Sequence, residues 1–256
     1  MIEISPSQIY DLIAAFFLPL TRILGVFATA PFFSHRSVPI MFRLGLSLAM
    51  TIVVFPVLPT IQPVDPASFA GLAMLLTQML IGLAIGFTMQ IVFAGVEMAG
   101  EMISMTMGLG FASFFDPQTL GRSFSLSQLL TLISILLFIC GDYHLAFIGA
   151  MIDSFNSLPI NQQSLGTLSI SQLPDFGITI FEIGVHLSLP IVTILLITNM
   201  AFGILTKAAP QLNLFGVGFP ATLLAGYVSL LFILTYWDDQ LIAYIEHGLN
   251  IVQHLF

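Results

Sequence analysis

Proton chemistry is best equipped at Cys140-Gly141-Asp142-Tyr143-His144, where a carboxylate and an imidazole stand two positions apart in an apolar run. Such a pair could relay a proton, but two titratable groups without a third partner are not a site. The plainer reading is a charge at a span end beside a hydrogen-bonded imidazole. An intramembrane aspartyl protease needs Gly-x-Gly-Asp, and Ile139 takes the first glycine position. A rhomboid-like serine protease needs Gly-x-Ser-Gly, which Gly110 to Phe114 do not supply. His35, His144, His186, His247 and His254 are scattered, with no His-x-x-x-His and no cysteine partner, so no metal site is expected. No glycine loop followed by Lys and Ser or Thr is present to cradle phosphate, so no ATP hydrolysis is expected either. Cys140, the single cysteine, reads as a small buried hydrophobe. The chemistry expected is neither enzymatic nor cofactor-dependent.

The other polar groups pose a placement problem. Glu97 and Glu101 stand four apart and share one helix face, where two like charges resist burial unless one is protonated or both are wet. Either they face water or another subunit, or that helix end already lies in the aqueous layer. Arg22 falls mid-span beside Pro19 and needs a partner or a polar lumen; a lipid-facing position is the least favourable. Met98, Met102, Met105 and Met107 cluster next in the chain. Thioethers serve equally as a deformable seal or as core filler. After them, Met105 to Arg122 holds Gly108, Gly110, Pro117 and Gly121 beside Phe111, Phe114 and Phe115. That segment is too broken for regular helix and too apolar for water, so it needs a dry surface to lie against.

The elements that position these residues follow from composition. Only 7% of the 256 residues are charged, 57% are apolar, and the mean hydropathy is +1.04. A soluble domain carries about a quarter charged residues. The bilayer is therefore the relevant solvent and the fold is all-α. The net charge of −8 argues against nucleic acid as a partner. No basic region precedes the first apolar run, so that run is expected to be retained rather than cleaved.

Six apolar stretches are expected: Ile9 to Phe33, Leu44 to Ile61, Phe69 to Met105, Leu126 to Met151, Phe176 to Leu205 and Phe215 to Tyr236. Arg36 and Arg43, then Arg122, then Lys207 lie in the odd-numbered connections, and the even ones carry only acids. By the positive-inside rule the odd connections are cytoplasmic and both termini face the other side. The third stretch is too long for a simple span, since about 37 helical residues reach about 55 Å. It must project, bend or break. Gly82, Gly86, Gly95 and Gly100 offer places to bend or to admit a neighbouring helix.

In this order the residues resemble the FliR family of type III secretion export-gate proteins. The resemblance covers essentially the whole chain. It is carried by Pro31-Phe32-Phe33-Ser34 with Val38-Pro39 and Arg43, by Gly100-Glu101-Met102-Ile103, and by Met107-Gly108-Leu109-Gly110-Phe111-Ala112. Asp116-Pro117, Asp153-Ser154-Phe155 with Leu158-Pro159, and above all Ala209-Pro210-Gln211-Leu212-Asn213-Leu214-Phe215 with Val217-Gly218-Phe219-Pro220 complete it. Thr106 stands where relatives often carry glutamine, and Gly141 to His144 vary a region that often reads Asp-Gly-His.

The resemblance implies a non-enzymatic subunit of the flagellar gate in the bacterial inner membrane, within the basal body. The equivalent subunit of a virulence injectisome is the alternative, and a secondary transporter a more distant one. Implied partners are FliP, FliQ, FlhB and FlhA, unfolded flagellar substrates and membrane lipid. The implied architecture is helical hairpins in a pseudo-symmetric assembly, with residues 1–160 FliP-like and 161–256 a FliQ-like hairpin. A plug loop over about 106–122 is implied to use Gly108, Gly110, Phe111, Phe114, Phe115, Asp116 and Pro117. Met102, Met105 and Met107 are candidates for an adjoining methionine seal, and Arg22, Glu97 and Glu101 for lumen or intersubunit contacts.

Overall fold

In hydrocarbon a segment must satisfy its own amides and carbonyls, which leaves the helix as the economical solution for this chain. The computed structural model describes residues 6–35, 37–59, 68–111, 125–160, 172–209, 216 and 218–254, and no strand occurs among them. Its helices are α1 (Pro6–Thr29), α2 (Ile40–Val54), α3 (Phe69–Thr106), α4 (Ser125–Cys140), α5 (Tyr143–Ser157), α6 (Gln172–Gly177), α7 (Thr179–Ala208) and α8 (Phe219–His254). Short 3₁₀ turns follow α2 at Phe55–Val57 and α3 at Leu109–Phe111.

Helices occupy all six expected stretches, with two differences in detail. Among the described residues, four segments are long and apolar enough to cross a membrane: Ile40–Val57, Phe69–Thr106, Asp175–Ala208 and Phe219–Gln253. Ile13–Thr29 is a shorter apolar helix, and α4 with α5 makes a fifth crossing if the pair counts as one broken span. That break is the first difference, because Leu126 to Met151 reads as continuous yet bends by 72°. Gly141 N–H closes α4 on the Leu137 carbonyl, and Asp142 then turns left-handed at φ 59°. The Asp142 carbonyl accepts the first amides of α5, from Leu145 and Ala146. The second difference is that α8 does not end near Tyr236. Trp237, Leu241, Ile245, Leu249 and Val252 are buried at helical spacing, so one packed face carries the helix past Asp238 and Asp239.

Two compact units divide the chain: Met1–Ile91 with Asp142–Gly177 and Glu246–Phe256, and Val92–Gly141 with Ile178–Ile245. In the first, α1 lies against the opening half of α3 at backbone distance. A Cβ on Gly25 would come 2.7 Å from the Met79 carbonyl oxygen, and one on Gly82 would overlap the Arg22 carbonyl oxygen. One on Gly86 would meet the Val26 carbonyl oxygen at 2.5 Å. Thr29 Oγ1 donates across this seam to the Leu83 carbonyl at 3.1 Å. The glycines thus admit a helix rather than bend one. Helix α2 is inside out: Ser47 and Thr51 are buried, each hydroxyl returned to its own backbone at 2.7 Å, while Met41, Phe42, Ile52 and Val53 are exposed. That inversion suits a helix with lipid outside it.

In the second unit the closing half of α3 is the common member. A Cβ on Gly95 would come 2.6 Å from Ile183 Cβ of α7, and one on Gly100 would come 2.5 Å from Ser127 Cα of α4. Phe93 and Phe138 meet edge to face at 5.8 Å between ring centroids. Trp237 of α8 donates to the Leu187 carbonyl of α7 at 3.2 Å, tying the hairpin together.

Gly82→Ala is expected to force α1 from α3 and cost about 1–3 kcal/mol, the usual range for overpacking. Gly45→Ala is the matched control, since nothing lies within 4 Å of its added methyl. Thermal unfolding of the purified chain in detergent tests this, and equal melting of the two variants would contradict the backbone contact.

Candidate functional site

The last four turns of α3 sort their residues strictly by side. Gly95, Val96, Ala99, Gly100, Ile103, Ser104 and Met107 are buried. Glu97, Met98, Glu101 and Met102 are half-buried and Met105 is exposed, together forming one partly open stripe. The 3.6-residue period of the helix produces this division. Both carboxylates and three thioethers therefore share one edge, which this chain's other helices leave incompletely covered.

Small residues of the α7–α8 hairpin receive the methionines. Met98 lies against Gly184, whose added Cβ would stand 2.9 Å from its Cγ. Ser188 Oγ donates to Met102 Sδ at 3.6 Å. Met107, 1% exposed, packs against Gly226 of α8. Of the three candidate seal residues, Met107 thus fills the core, Met102 is shared between core and edge, and Met105 alone points outward.

The helix ends in a defined way. The Met107 amide donates to the Ile103 carbonyl at 2.9 Å, the last i→i−4 bond, and Gly108 N–H reaches back only to Met105 at 3.0 Å. Gly108 has φ 87°, the left-handed conformation that a glycine adopts freely just past a helix end. Leu109, Gly110 and Phe111 follow as the 3₁₀ turn. Phe114, Phe115, Asp116 and Pro117 lie outside the described residues, as do Arg36 and Arg122.

Arg22 stands apart from this set, in the first unit, with no exposed surface. Its Nε donates to Gln78 Oε1 of α3 at 2.7 Å. Nη1 donates to the Ser154 carbonyl at 2.7 Å and to Ser154 Oγ at 3.1 Å, and Nη2 to the Leu158 carbonyl at 2.9 Å. Beneath the guanidinium, the Phe155 ring centroid lies 4.2 Å from Cζ, within cation–π range. At the end of α5 the Ser154 carbonyl already accepts the Leu158 amide at 3.0 Å, and Arg22 adds a second donor to it and one to the Leu158 carbonyl beyond. The partners that sequence reasoning required for Arg22 are thus present within the chain itself.

Asp142 is exposed at the break and His144 Nδ1 is buried without a hydrogen-bond partner. Among the described residues no three His, Cys, Asp or Glu side chains gather as metal ligands would. The arrangement offers a contact surface and a helix exit.

Sequence reasoning missed the receiving residues: Gly184, Ser188 and Gly226 for the methionines, and Gln78, Ser154 and Leu158 for Arg22. Two signals pointed toward them. Gly184 and Ser188 form a small-xxx-small pair, and Gln78 precedes Gly82 by four residues, on the face that meets α1.

A family model described as bacterial export proteins, family 1, matches residues 13–248. The flagellar biosynthetic protein FliR of Escherichia coli (strain K12) is 40% identical over 226 residues, covering 88% of this chain and 86% of that protein. FliR of Pectobacterium carotovorum subsp. carotovorum is 39% identical over 90% of this chain and 88% of its own length. FliR of Bacillus subtilis (strain 168) is 28% identical over 88% of each.

Burial of Arg22 sets a measurable cost on its removal. Arg22→Met strips the donors from Gln78, Ser154 and Leu158 and is expected to destabilise the chain by about 1–3 kcal/mol, the cost of leaving a buried neutral acceptor unpaired. Arg22→Lys keeps the charge without the planar fork and should fall between. Melting temperature and steady-state level in the membrane read this out; an Arg22→Met chain as stable as the parent would rule out the clasp.

Proposed function

The chain belongs to the bacterial export proteins, family 1, among the FliR flagellar biosynthetic proteins, and from that membership we propose that it is a non-enzymatic core subunit of the flagellar type III export gate. It is an all-helical membrane component of the flagellar export apparatus. Within the proposal it joins FliP and FliQ in a pore through which unfolded flagellar subunits leave the cytoplasm, and it meets FlhB and FlhA nearby. Residues 1–160 act as the FliP-like part and 161–256 as the FliQ-like hairpin. The gate lies in the inner membrane, with Arg36, Arg43, Arg122 and Lys207 on the cytoplasmic side and both termini on the periplasmic side.

The single observation that supports this reading is the open edge of α3. Glu97, Glu101 and Met105 face outward or partly so on a helix of membrane-spanning apolarity. Carboxylates on a lipid-facing edge are costly, so this edge is one for a neighbouring subunit or a wet lumen to complete. Past that edge, the segment from Gly108 to Pro117 forms the plug. Phe111, Phe114 and Phe115 fill a constriction without holding water or ions, and the glycines permit irregular backbone where it lines a cavity.

Deleting the gene is expected to abolish motility and flagellin export together. A deletion strain that remains flagellated and swims would overturn the flagellar assignment, and loss of effector secretion in its place would favour an injectisome. For the plug, replacing Phe111, Phe114 and Phe115 by alanine is expected to raise ion conductance through the assembled complex several-fold. Unchanged conductance, with the complex intact, would overturn plugging.

A further inference from the structure

On the outer faces of the α7–α8 hairpin, the change from apolar to polar side chains falls at different heights. The register of the two helices is set by contacts within the second unit. Thr222 Oγ1 donates to Asn199 Oδ1 at 3.4 Å, Trp237 Nε1 donates to the Leu187 carbonyl at 3.2 Å, and His186 Nδ1 lies 2.9 Å from the Tyr244 hydroxyl. Leu187 of α7 is therefore level with Trp237 of α8. The exposed side chains of α8 are apolar up to that level, with Leu231, Phe232 and Tyr236 among them, and polar just past it at Asp239 and Gln240. Helix α7 keeps exposing apolar side chains past the same level. Toward its start it presents Val185 (42% exposed), Phe181 (63%) and Ile178 (67%) at helical spacing, with an exposed Glu182 among them.

Lipid does not account for this patch. Ile178 lies roughly 13 Å along the helix from Leu187 at about 1.5 Å per residue. With helix axes about 8–10 Å apart, keeping Asp239 wet and Ile178 in hydrocarbon demands a tilt of more than about 50°, outside the range of about 0–40° that spanning helices adopt. Glu182 beside Phe181 adds a charge that hydrocarbon penalises. Water is no better a neighbour, since exposed apolar patches rimmed by polar groups mark protein contacts.

We propose that Ile178, Phe181 and Val185 receive a helix of a neighbouring protein subunit, whose ridge of apolar side chains covers the patch and whose Lys or Arg meets Glu182. That the chain has subunit neighbours rests on the gate-subunit reading above; the patch itself is separate from the α3 edge. A stripe at this spacing is the surface into which a helix ridge packs, and an aromatic at its centre is the usual anchor of such a contact. Glu182 selects and orients the partner more than it strengthens the contact. His186, one turn along, is taken up by Tyr244 on the hairpin's own seam.

Photocross-linking in the assembled complex in cells tests the occupant. With p-benzoylphenylalanine in place of Phe181, the expected product is an adduct to a copurifying subunit, mapped by mass spectrometry to an apolar helical segment with a Lys or Arg within one turn. A lipid adduct, an adduct to a second copy of this chain, or no adduct while the complex is intact would each overturn the proposal. Glu182→Lys is expected to lower copurification of that subunit several-fold, and replacing the mapped base by Glu should restore it. Absence of loss or of rescue would overturn the charge pairing. Phe181→Asp should likewise lower copurification while leaving the melting temperature of the isolated chain unchanged, because the ring is exposed there; a lower melting temperature with the partner retained would assign the ring to the fold instead and overturn its role as anchor. A deletion strain that still swims would sink the flagellar reading and leave the cross-link result standing, whereas an intact complex without an adduct sinks only the patch.

Discussion

Helices in hydrocarbon have no water to expel from between them, so they hold together by close packing and by polar contacts that lipid cannot replace. Helix α3 meets this constraint by baring its backbone. Gly82 and Gly86 admit α1 in the first unit, and Gly95 and Gly100 admit α7 and α4 in the second. Gly25 and Gly184 return the favour from the α1 and α7 sides, and Gly226 of α8 receives Met107 just past the helix end. The 38 residues of α3 serve the first unit through Ile91 and the second from Val92 onward. Its length therefore follows from the number of helices it must touch, beyond what one bilayer crossing requires.

Close packing alone does not satisfy helix ends, and the Arg22 cluster answers that need. Helix α5 is only 15 residues long and begins at a break, so its ends come close together in the chain. Arg22 brings donors in a rigid fork to the Leu158 carbonyl and to the Ser154 carbonyl, which also accepts the Leu158 amide. Every acceptor it uses is neutral: an amide, a hydroxyl and two backbone carbonyls. Burying a cation this way costs desolvation, which four hydrogen bonds and the Phe155 ring face offset. The same cluster ties α1 to α3 through Gln78 and to α5 through Ser154, so one side chain fixes three helices.

Much of this was legible in the residues. Apolar runs marked the helices, because hydrophobicity averaged over a window is what membrane insertion responds to. That same averaging hid the break at Gly141-Asp142, where one left-handed residue redirects the chain without altering the mean. It also hid the end of α8, since Asp238 and Asp239 lower the average while Trp237, Leu241 and Ile245 keep the helical repeat. That Glu97 and Glu101 share one face followed from spacing alone, whereas the methionines beside them read equally as seal or as core. The fates of Met105 and Met107 did not, because two residues apart on a helix means opposite sides, and only the position of α8 decides which side is covered. Arg22 plainly needed partners, but they lie 56, 132 and 136 positions away, beyond the reach of any local pattern.

The open stripe and the packed face that ends at Met107 lie on two sides of one helix, and the division has a physical logic. A surface that meets changing neighbours needs side chains indifferent to shape, which thioethers are, and enough polarity to stay hydrated, which Glu97 and Glu101 provide. A surface that holds position needs the reverse: bare backbone, tight knobs and no water. Helix α3 separates the two by its period, so the open edge can exchange contacts without disturbing Gly95, Gly100 and Met107 behind it.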